Sequence, residues 1–343
     1  MSITISGTSD SRLLWTFASP WDISLPDEAL ESSIGKTPED FARAVLAGVP
    51  QHEGKPDLGL FLKGLGSRIR DVVPARFWSV LDSVQTAVGT ERRLTLLLLS
   101  EEPHVPWELA LVDSPQFSNA PPFLAAQTAL GRWILQPHSD QISPSYVAKQ
   151  RPFAVVVGHY KGKNALPGAI AEATELASRY DAVTIQARLR QLVQCLGGQP
   201  PSRVLHFALH GVYAPGTGSD GLYLEDDNFL EPLVIRGASL IHVPLVFLNA
   251  CELGTGSQSL GAYAGTAEAF ISAGATAVIA PLWAIDDDEA RSIAIGFYKS
   301  VFVGAAVGDV LADVRGGFNE HAAVATRLAY QFFGHPLLQF DPI

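Results

Sequence analysis

A histidine and a cysteine end two apolar runs of this 343-residue chain, and together they could form a nucleophile and its base. His210 closes the run RVLHFALH (203–210), and Cys251 follows the run PLVFLNA (244–250). A thiol attacks a carbonyl carbon as the thiolate, and a nearby imidazole can accept its proton. Backbone amides must then approach the oxygen that becomes anionic, and those of Gly211 and Cys251 are the candidates. Covalent catalysis by a cysteine is therefore the first hypothesis.

Each of these residues also has a structural explanation. Cysteine is among the most buried residue types, so Cys251 taken singly is most simply an inert core residue. A histidine that closes a strand is commonly a capping or hydrogen-bonded residue, and His206 on the same strand face can be explained in that way. The pairing of His210 with Cys251 at one sheet edge is what favours catalysis. Cys195 ends the helical pattern RLRQLVQC before two glycines and is predicted to be a packed residue.

Short apolar runs alternate with helical patterns in the second half of the chain, and these elements must position the two residues. Strands are predicted at 153–158, 182–185, 203–210, 244–250 and 275–282, and helices at 169–180, 187–196, 262–273 and 287–301. Such alternation predicts a mainly parallel sheet covered by helices on both faces. Chemistry in such a sheet collects in the loops beyond the carboxyl ends of its strands. His210, Cys251 and the Gly-rich loop 254–261 are all expected at that edge.

The first half of the chain has a less regular pattern. It predicts a strand at 12–17, helices at 37–47, 58–73 and 76–88, a buried strand at 92–100 and a turn with a short apolar segment at 103–114. The looser stretch 136–152 separates this half from the second. We therefore predict an N-terminal accessory segment (1–60), a first half (61–150) and a second half (151–343) that carries the chemistry.

Composition excludes several classes of protein. The net charge of −11, without a run of Lys or Arg, argues against nucleic acid as a ligand. Two cysteines are too few for a disulfide framework and the first residues lack the pattern of a secretory signal, so a cytoplasmic setting is expected. The uncharged stretch Ala269 to Ile285 is short for a membrane span and carries Gly274 and Pro281. It is predicted to be a helix end, a turn and a strand, and no membrane partner is expected.

Other motifs predict neither a cofactor nor a metal. GTGSDG (216–221) formally matches G-x-G-x-x-G, but the strand-like GLYLED follows it where a dinucleotide site needs a helix. The nine histidines are scattered, without an H-E-x-x-H or C-x-x-C pattern. The absence of G-x-S-x-G also disfavours a serine hydrolase of that type.

The segment PLWAIDDDEA (281–290) runs from a predicted strand through Trp283 into three consecutive aspartates. An N-cap followed by acids in the first helical turn explains Asp286 and Asp287 structurally. The same acids also follow the carboxyl end of a strand, where they would favour a positively charged ligand group. Both explanations remain open at this stage.

Four blocks, in order, resemble the CHAT domain, a branch of the caspase, separase and clostripain-like cysteine peptidases. They are VLHFALHG, LVFLNACELGTG, AEAFISAGATAVIAPLWAIDDDEA and FYKSV. The resemblance covers residues 152–316 densely and the first half more thinly, through VPWELALVD and ALGRWIL.

The resemblance implies an α/β fold, a caspase-like sandwich with a mainly parallel central sheet and helices on both faces. It implies that His210 is the general base, that Cys251 is the nucleophile, and that the Gly211 and Cys251 amides form the oxyanion hole. Asp287, with Asp286 as a competitor and Trp283 nearby, would select Arg or Lys before the cut. Residues 61–150 would be the non-catalytic half of the domain and 151–343 the catalytic half.

Three functions are consistent with these observations. The first is a regulated cysteine endopeptidase with a His–Cys dyad. It would cleave a protein or peptide substrate and be controlled by a regulatory protein partner. The resemblance implies a place in a prokaryotic defence or signalling pathway. The second is a catalytically silent caspase-like scaffold that binds a partner protein. The third is a small-molecule hydrolase or transferase that uses the same dyad.

Overall fold

The structure, a computed structural model, describes residues 1–9, 11–89, 91–135, 143–212, 221–252, 262–322 and 324–341. The strands in these ranges are β1 (Ser2–Ser9), β2 (Arg12–Ala18), β3 (Leu30–Ser33), β4 (Thr95–Ser100), β5 (Ala129–Ile134), β6 (Val147–Ala148), β7 (Phe153–Val157), β8 (Val183–Gln186), β9 (Val204–Val212), β10 (Gly221–Tyr223), β11 (Phe229–Leu230), β12 (Leu245–Glu252), β13 (Ala277–Pro281), β14 (Tyr330–Phe333) and β15 (Gln339–Phe340).

The helices in the same ranges are α1 (Pro38–Leu46), α2 (Val49–His52), α3 (Leu58–Arg70), α4 (Ala75–Val88), α5 (Leu124–Gln127), α6 (Pro167–Tyr180), α7 (Leu189–Leu196), α8 (Pro232–Arg236), α9 (Ala262–Ser272), α10 (Asp287–Val301), α11 (Val307–Gly316) and α12 (Thr326–Ala329). Two short 3₁₀ turns, Trp107–Leu109 and Gly162–Asn164, complete the regular structure of these ranges. None of the helices described here has the length and apolar character needed to cross a bilayer.

The chain divides into two compact units. Unit 1 consists of Met1–Pro144, Ala306–Leu328 and Gly334–Leu337, and unit 2 consists of Ser145–Ala305, Ala329–Phe333 and Leu338–Ile343.

Unit 1 contains a five-stranded run in the order β3-β2-β1-β4-β5. The first two pairings are antiparallel, whereas β1 with β4 and β4 with β5 are parallel. An aromatic cluster fills its core, with the Trp15 ring 5.0 Å from Trp107 and 5.9 Å from Phe77 in edge-on contacts. Edge-on packing suits the quadrupoles of aromatic rings and holds these large side chains in one arrangement.

A buried charge cluster also lies in unit 1. The side chain of Arg132 is 1% exposed, and its guanidinium lies 3.5 Å from both Glu102 and Glu108. Glu102 accepts a further hydrogen bond from Trp107 Nε1 at 2.8 Å. Burial raises the pKa of Glu102 to about 6, although the Arg132 charge acts in the opposite direction. The blocks VPWELALVD and ALGRWIL supply Glu108 and Arg132, so these blocks have a structural role in the interior of unit 1.

Unit 2 is built on a sheet in the order β8-β7-β9-β12-β13-β14, parallel except for β14, which runs antiparallel to β13. Every residue of β7 and β13 is buried, as expected for parallel strands covered on both faces. On one face of the sheet, Glu172 of α6 contacts His206 of β9. On the other face, the rings of Phe270 in α9 and Phe207 in β9 have centroids 5.6 Å apart. The predicted α/β class with helices on both faces is confirmed.

The antiparallel strand β10 lies beside the last residues of β9, and β11 pairs with β10. The predicted strands and helices of the second half correspond to β7, β8, β9, β12, β13, α6, α7, α9 and α10. The uncharged stretch from Ala269 ends α9, turns at Gly274 with φ of 103° and continues as β13, as predicted. The chain after residue 302 adds α11 and β14, which the sequence pattern did not predict.

Candidate active site

His210 and Cys251 are register partners on neighbouring parallel strands. The pairing of β9 with β12 runs from Val204 opposite Leu245 to His210 opposite Cys251 and then Gly211 opposite Glu252. Register partners of a parallel pair occupy corresponding positions of the pleat. The Cys251 side chain and the loop 254–261 lie outside the described part of the chain.

The His210 ring is buried and oriented by a backbone carbonyl. Its Nε2 lies 2.8 Å from the carbonyl oxygen of Asn164, and the residue is 5% exposed. A carbonyl oxygen only accepts hydrogen bonds, so Nε2 carries the proton in this contact. The lone pair of the neutral ring is then at Nδ1, which makes Nδ1 the basic atom.

Tyr160 forms a second contact with this histidine. The two ring centroids are 4.6 Å apart, and the backbone N–H of His210 donates to the Tyr160 hydroxyl at 3.4 Å. Tyr160 and Asn164 both belong to the connection between β7 and α6, beyond the carboxyl end of β7. Neither residue was predicted from the sequence. The strand-end rule indicates this connection, but a backbone carbonyl has no residue-type signature that could mark Asn164.

A polar network is buried beneath the edge that carries His210. Asn249 Nδ2 donates to both carboxylate oxygens of Glu172, at 3.0 and 2.9 Å, and Tyr330 donates to Asn249 Oδ1 at 2.6 Å. His206 lies between Glu172 and Tyr298, with Nε2 2.5 Å from the carboxylate, off the line of a good hydrogen bond, and Nδ1 3.1 Å from the hydroxyl. All five residues are at most 4% exposed.

The network gives His206 the hydrogen-bonded role that the sequence analysis considered for it. A buried carboxylate is costly unless hydrogen bonds and charge compensate for its lost hydration. Glu172 of α6 contacts both strands that carry the predicted dyad. Its partner on β12, Asn249, lies two residues before Cys251. Its partner on β9, His206, lies four residues before His210.

The two predicted acids cap two different helices. Asp286 is the N-cap of α10, where its Oδ1 accepts from the Glu289 N–H at 2.9 Å. Asp287 instead reaches the start of α6, where its Oδ2 accepts from the Gly168 N–H at 2.7 Å. A Cβ at Gly168 would lie 2.5 Å from Asp287 Cγ, so glycine permits this approach. Burial raises the pKa of Asp287, although the amides of Gly168 and Ala169 act in the opposite direction.

His210 and Asp287 therefore contact the same short stretch of chain, residues 164–168. Trp283 is 1% exposed, and its Nε1 forms no hydrogen bond with the described residues. Gly211 is buried and is also the register partner of Leu222 in β10. The roles of these residues in binding and in an oxyanion hole stay predictions.

The other cysteine has the properties of a core residue. Cys195 is 5% exposed, and burial raises the pKa of its thiol to about 11, so it stays protonated at neutral pH. Within the described ranges, no group of three or more His, Cys, Asp and Glu residues could hold a metal ion.

The fold is that of the caspase-like cysteine peptidases. The structure is similar to the Arg-specific cysteine proteinase gingipain R, with a TM-score of 0.50 and 13% identity over 82% of this chain and 75% of that chain. It is also similar to the complex of the pro- and mature domains of RgpB from Porphyromonas gingivalis, with a TM-score of 0.48 and 14% identity over 82% and 76% of the chains.

A further similar structure is separase of Saccharomyces cerevisiae in complex with securin, with a TM-score of 0.46 and 14% identity over 72% of this chain. This chain spans only 16% of that separase chain. A comparison with curated protein sequences gives no match.

The family model of the CHAT domain matches residues 75–324, which is well over half of the chain. The protein therefore belongs to the CHAT domain family, as the sequence blocks predicted.

Proposed function

We propose that this protein is a cysteine endopeptidase in which Cys251 is the nucleophile and His210 the general base. The observation that carries the proposal is the register pairing of the two residues, together with the Asn164 carbonyl on His210 Nε2. Thiol activation requires a base whose ring is held in a fixed orientation beside the nucleophile, and a hydrogen bond at one ring nitrogen supplies that orientation. Membership of the CHAT family and the caspase-like fold are consistent with this activity.

The reaction proposed for this pair has two stages. His210 takes the thiol proton, and the thiolate adds to the peptide carbonyl carbon while backbone amides, those of Gly211 and Cys251 in our proposal, stabilise the oxyanion. The C–N bond then breaks as the imidazolium returns its proton to the departing amine, which leaves a thioester. Water, deprotonated by His210, hydrolyses the thioester and regenerates the thiol.

We propose further that the substrate carries a basic residue before the cut. Support comes from the acidic start of α10, where three aspartates and Glu289 follow one another. Asp286 and Asp287 accept backbone N–H bonds, and because a carboxylate offers about four lone-pair sites it can also accept from a guanidinium or an ammonium group.

The biological setting proposed for this activity is regulated cleavage of a partner protein in the cytoplasm, within a prokaryotic defence or signalling pathway. A second protein would control the activity. The cytoplasmic setting follows from the composition, and the pathway and its control follow from the family resemblance.

The activity is tested by incubating the purified chain with a peptide library and identifying the cleaved bonds by mass spectrometry. We expect Cys251→Ala and His210→Ala to abolish cleavage, and Cys195→Ala to retain it because that thiol is buried and protonated. Circular dichroism establishes that each variant is folded. Cleavage by Cys251→Ala would exclude the proposed nucleophile. A folded wild-type chain whose Cys251 reacts with no electrophile would support the scaffold function.

Substrate preference is tested with fluorogenic peptides that differ only in Arg, Lys or Gln before the cut. We expect cleavage of the Arg and Lys peptides, and a KM for them that rises in Asp286→Asn or Asp287→Asn. Asp288→Asn is the matched control at the next position. Equal cleavage of the Gln peptide would overturn the basic preference and leave the dyad standing.

A further inference from the structure

Three strand ends of unit 2 meet at one carboxylate, that of Glu225. Its Oε1 accepts from Arg188 Nε at 2.6 Å, its Oε2 accepts from the backbone N–H of His159 at 3.0 Å, and its own N–H donates to the Ala187 carbonyl at 2.9 Å. His159 follows β7, Ala187 and Arg188 follow β8, and Glu225 follows β10. The Glu225 side chain is 5% exposed, whereas the side chains of Arg188 and His159 around it are about half exposed.

Glu225 is charged in this setting. Burial raises the pKa of its carboxyl, but the hydrogen bonds from Arg188 and from the His159 N–H outweigh that effect and lower it overall. Charge-assisted hydrogen bonds of this kind are roughly twice as strong as neutral ones. The backbone at His159 is therefore firmly held to the end of β10.

Tyr160 ties the same connection to β10 a second time. Its hydroxyl donates to the Tyr223 carbonyl at 2.5 Å, and the two rings stack with centroids 5.7 Å apart. Burial raises the pKa of Tyr160 well above its usual value, so the hydroxyl stays protonated as a donor. Tyr223 is in turn the register partner of His210.

These ties bear on His210 through Asn164. His159 and Tyr160, which these hydrogen bonds hold, lie near the start of the β7–α6 connection. The same connection presents the Asn164 carbonyl to His210 Nε2. The short 3₁₀ turn Gly162–Asn164 leaves only Lys161 between the tied residues and the turn. Movement of the tied backbone would therefore move the carbonyl.

We propose that Glu225 is a positioning residue that holds the Asn164 carbonyl against His210 and so keeps His210 oriented as the base for Cys251. The inference rests on the proposed function and deepens it, since it names what holds the base. An accepting carbonyl at Nε2 stabilises the imidazolium form, and the imidazolium stabilises the neighbouring thiolate. Loss of the tie should therefore lower the thiolate fraction of Cys251 at a given pH.

The test measures the alkylation rate of Cys251 by iodoacetamide from about pH 5 to about pH 9, with mass spectrometry to read the Cys251 and Cys195 peptides separately. The buried Cys195 serves as an internal reference for unfolding. In Glu225→Gln we expect the Cys251 rate near neutral pH to fall about tenfold and its pH midpoint to rise. The control Asp226→Asn removes one carboxylate from the same turn, where Asp226 caps α7 through Leu189, and should leave the profile unchanged.

A second variant keeps the test decisive if Glu225→Gln does not fold. Arg188→Gln removes the donor to Glu225 Oε1, and because the Arg188 side chain is 50% exposed the fold should tolerate the change. We expect a smaller shift in the same direction. An unchanged Cys251 profile in the folded Glu225 and Arg188 variants would overturn the positioning role.

The failure of this inference can be told apart from failure of the dyad. His210→Gln should slow alkylation of Cys251 at neutral pH. If it does so while the Glu225 and Arg188 variants do not, only the positioning role is wrong. If His210→Gln leaves the rate unchanged, the dyad is wrong and the role of Glu225 falls with it.

Discussion

At the scale of single residues, the orientation of His210 depends on a backbone atom. The rule that chemistry collects at strand ends predicted that His210 and Cys251 would meet at one edge, and the register of β9 with β12 agrees with it. The Asn164 carbonyl and the Glu225 junction could not be predicted. They depend on how the β7–α6 connection folds back, and neither residue type marks that path.

A substitution in the buried network should be costly because it removes hydrogen bonds from buried polar atoms. Asn249→Ala removes both donors to Glu172 and the acceptor of Tyr330. We expect the free energy of unfolding to fall by about 3 kcal/mol, as measured by urea denaturation.

The matched control for this prediction is Asn228→Ala. Asn228 is exposed and makes a local hydrogen bond of 3.2 Å to the Asp226 carbonyl. Its replacement should change the free energy of unfolding by less than about 0.5 kcal/mol. Equal effects of the two substitutions would show that the network does not stabilise the fold.

At the scale of elements, local pattern predicted the buried strands but not those defined by distant pairing. Strands β7, β9, β12 and β13 are continuous apolar runs, and that signal is local. Strand β1 alternates buried Ile3 and Ile5 with Ser and Thr, which in isolation resembles a polar loop. Strand β14 depends on antiparallel pairing with β13, a partner far away in sequence.

The start of α10 offers a test of helix capping. Asp286→Ala removes the acceptor of the Glu289 N–H, and we expect the free energy of unfolding to fall by about 1 kcal/mol. Asp288 lies in the first turn and favours the helix mainly through its charge, so Asp288→Ala should cost only about 0.3 kcal/mol. Thermal and urea unfolding check both values. A larger loss in the Asp288 variant would contradict the capping role of Asp286.

At the scale of the whole molecule, the blocks shared with the CHAT family fall into two kinds. Those of unit 2 contain the predicted dyad, whereas VPWELALVD and ALGRWIL of unit 1 contain Glu108 and Arg132 of the buried charge cluster. Both kinds of block are recognisable in the sequence. Only the packing shows that the second kind serves the interior.

Glu102 should make the stability of the protein depend on pH. Its folded pKa is raised from 4.5 to about 6, so the folded state keeps a proton that the unfolded state has released. The stabilisation is complete below about pH 4.5 and is lost as the pH rises through about 6, by about 2 kcal/mol for this group.

Urea denaturation across this pH range checks the prediction. The wild type should lose about 2 kcal/mol relative to Glu102→Gln between about pH 4.5 and about pH 7. Glu101→Gln, at the exposed neighbouring position, should keep the wild-type slope. A wild type whose stability runs parallel to that of Glu102→Gln would show that the folded carboxyl titrates normally.

The buried network has a consequence for how this fold can diverge. Glu172, His206, Asn249, Tyr298 and Tyr330 come from five separate helices and strands, yet each satisfies another's hydrogen bonds. Replacement of one of these residues removes hydrogen bonds from the others, so we expect the five positions to change together in evolution. Aligned family members should accordingly carry all five side chains or an apolar substitute at every one of those sites, and mixed combinations should be rare.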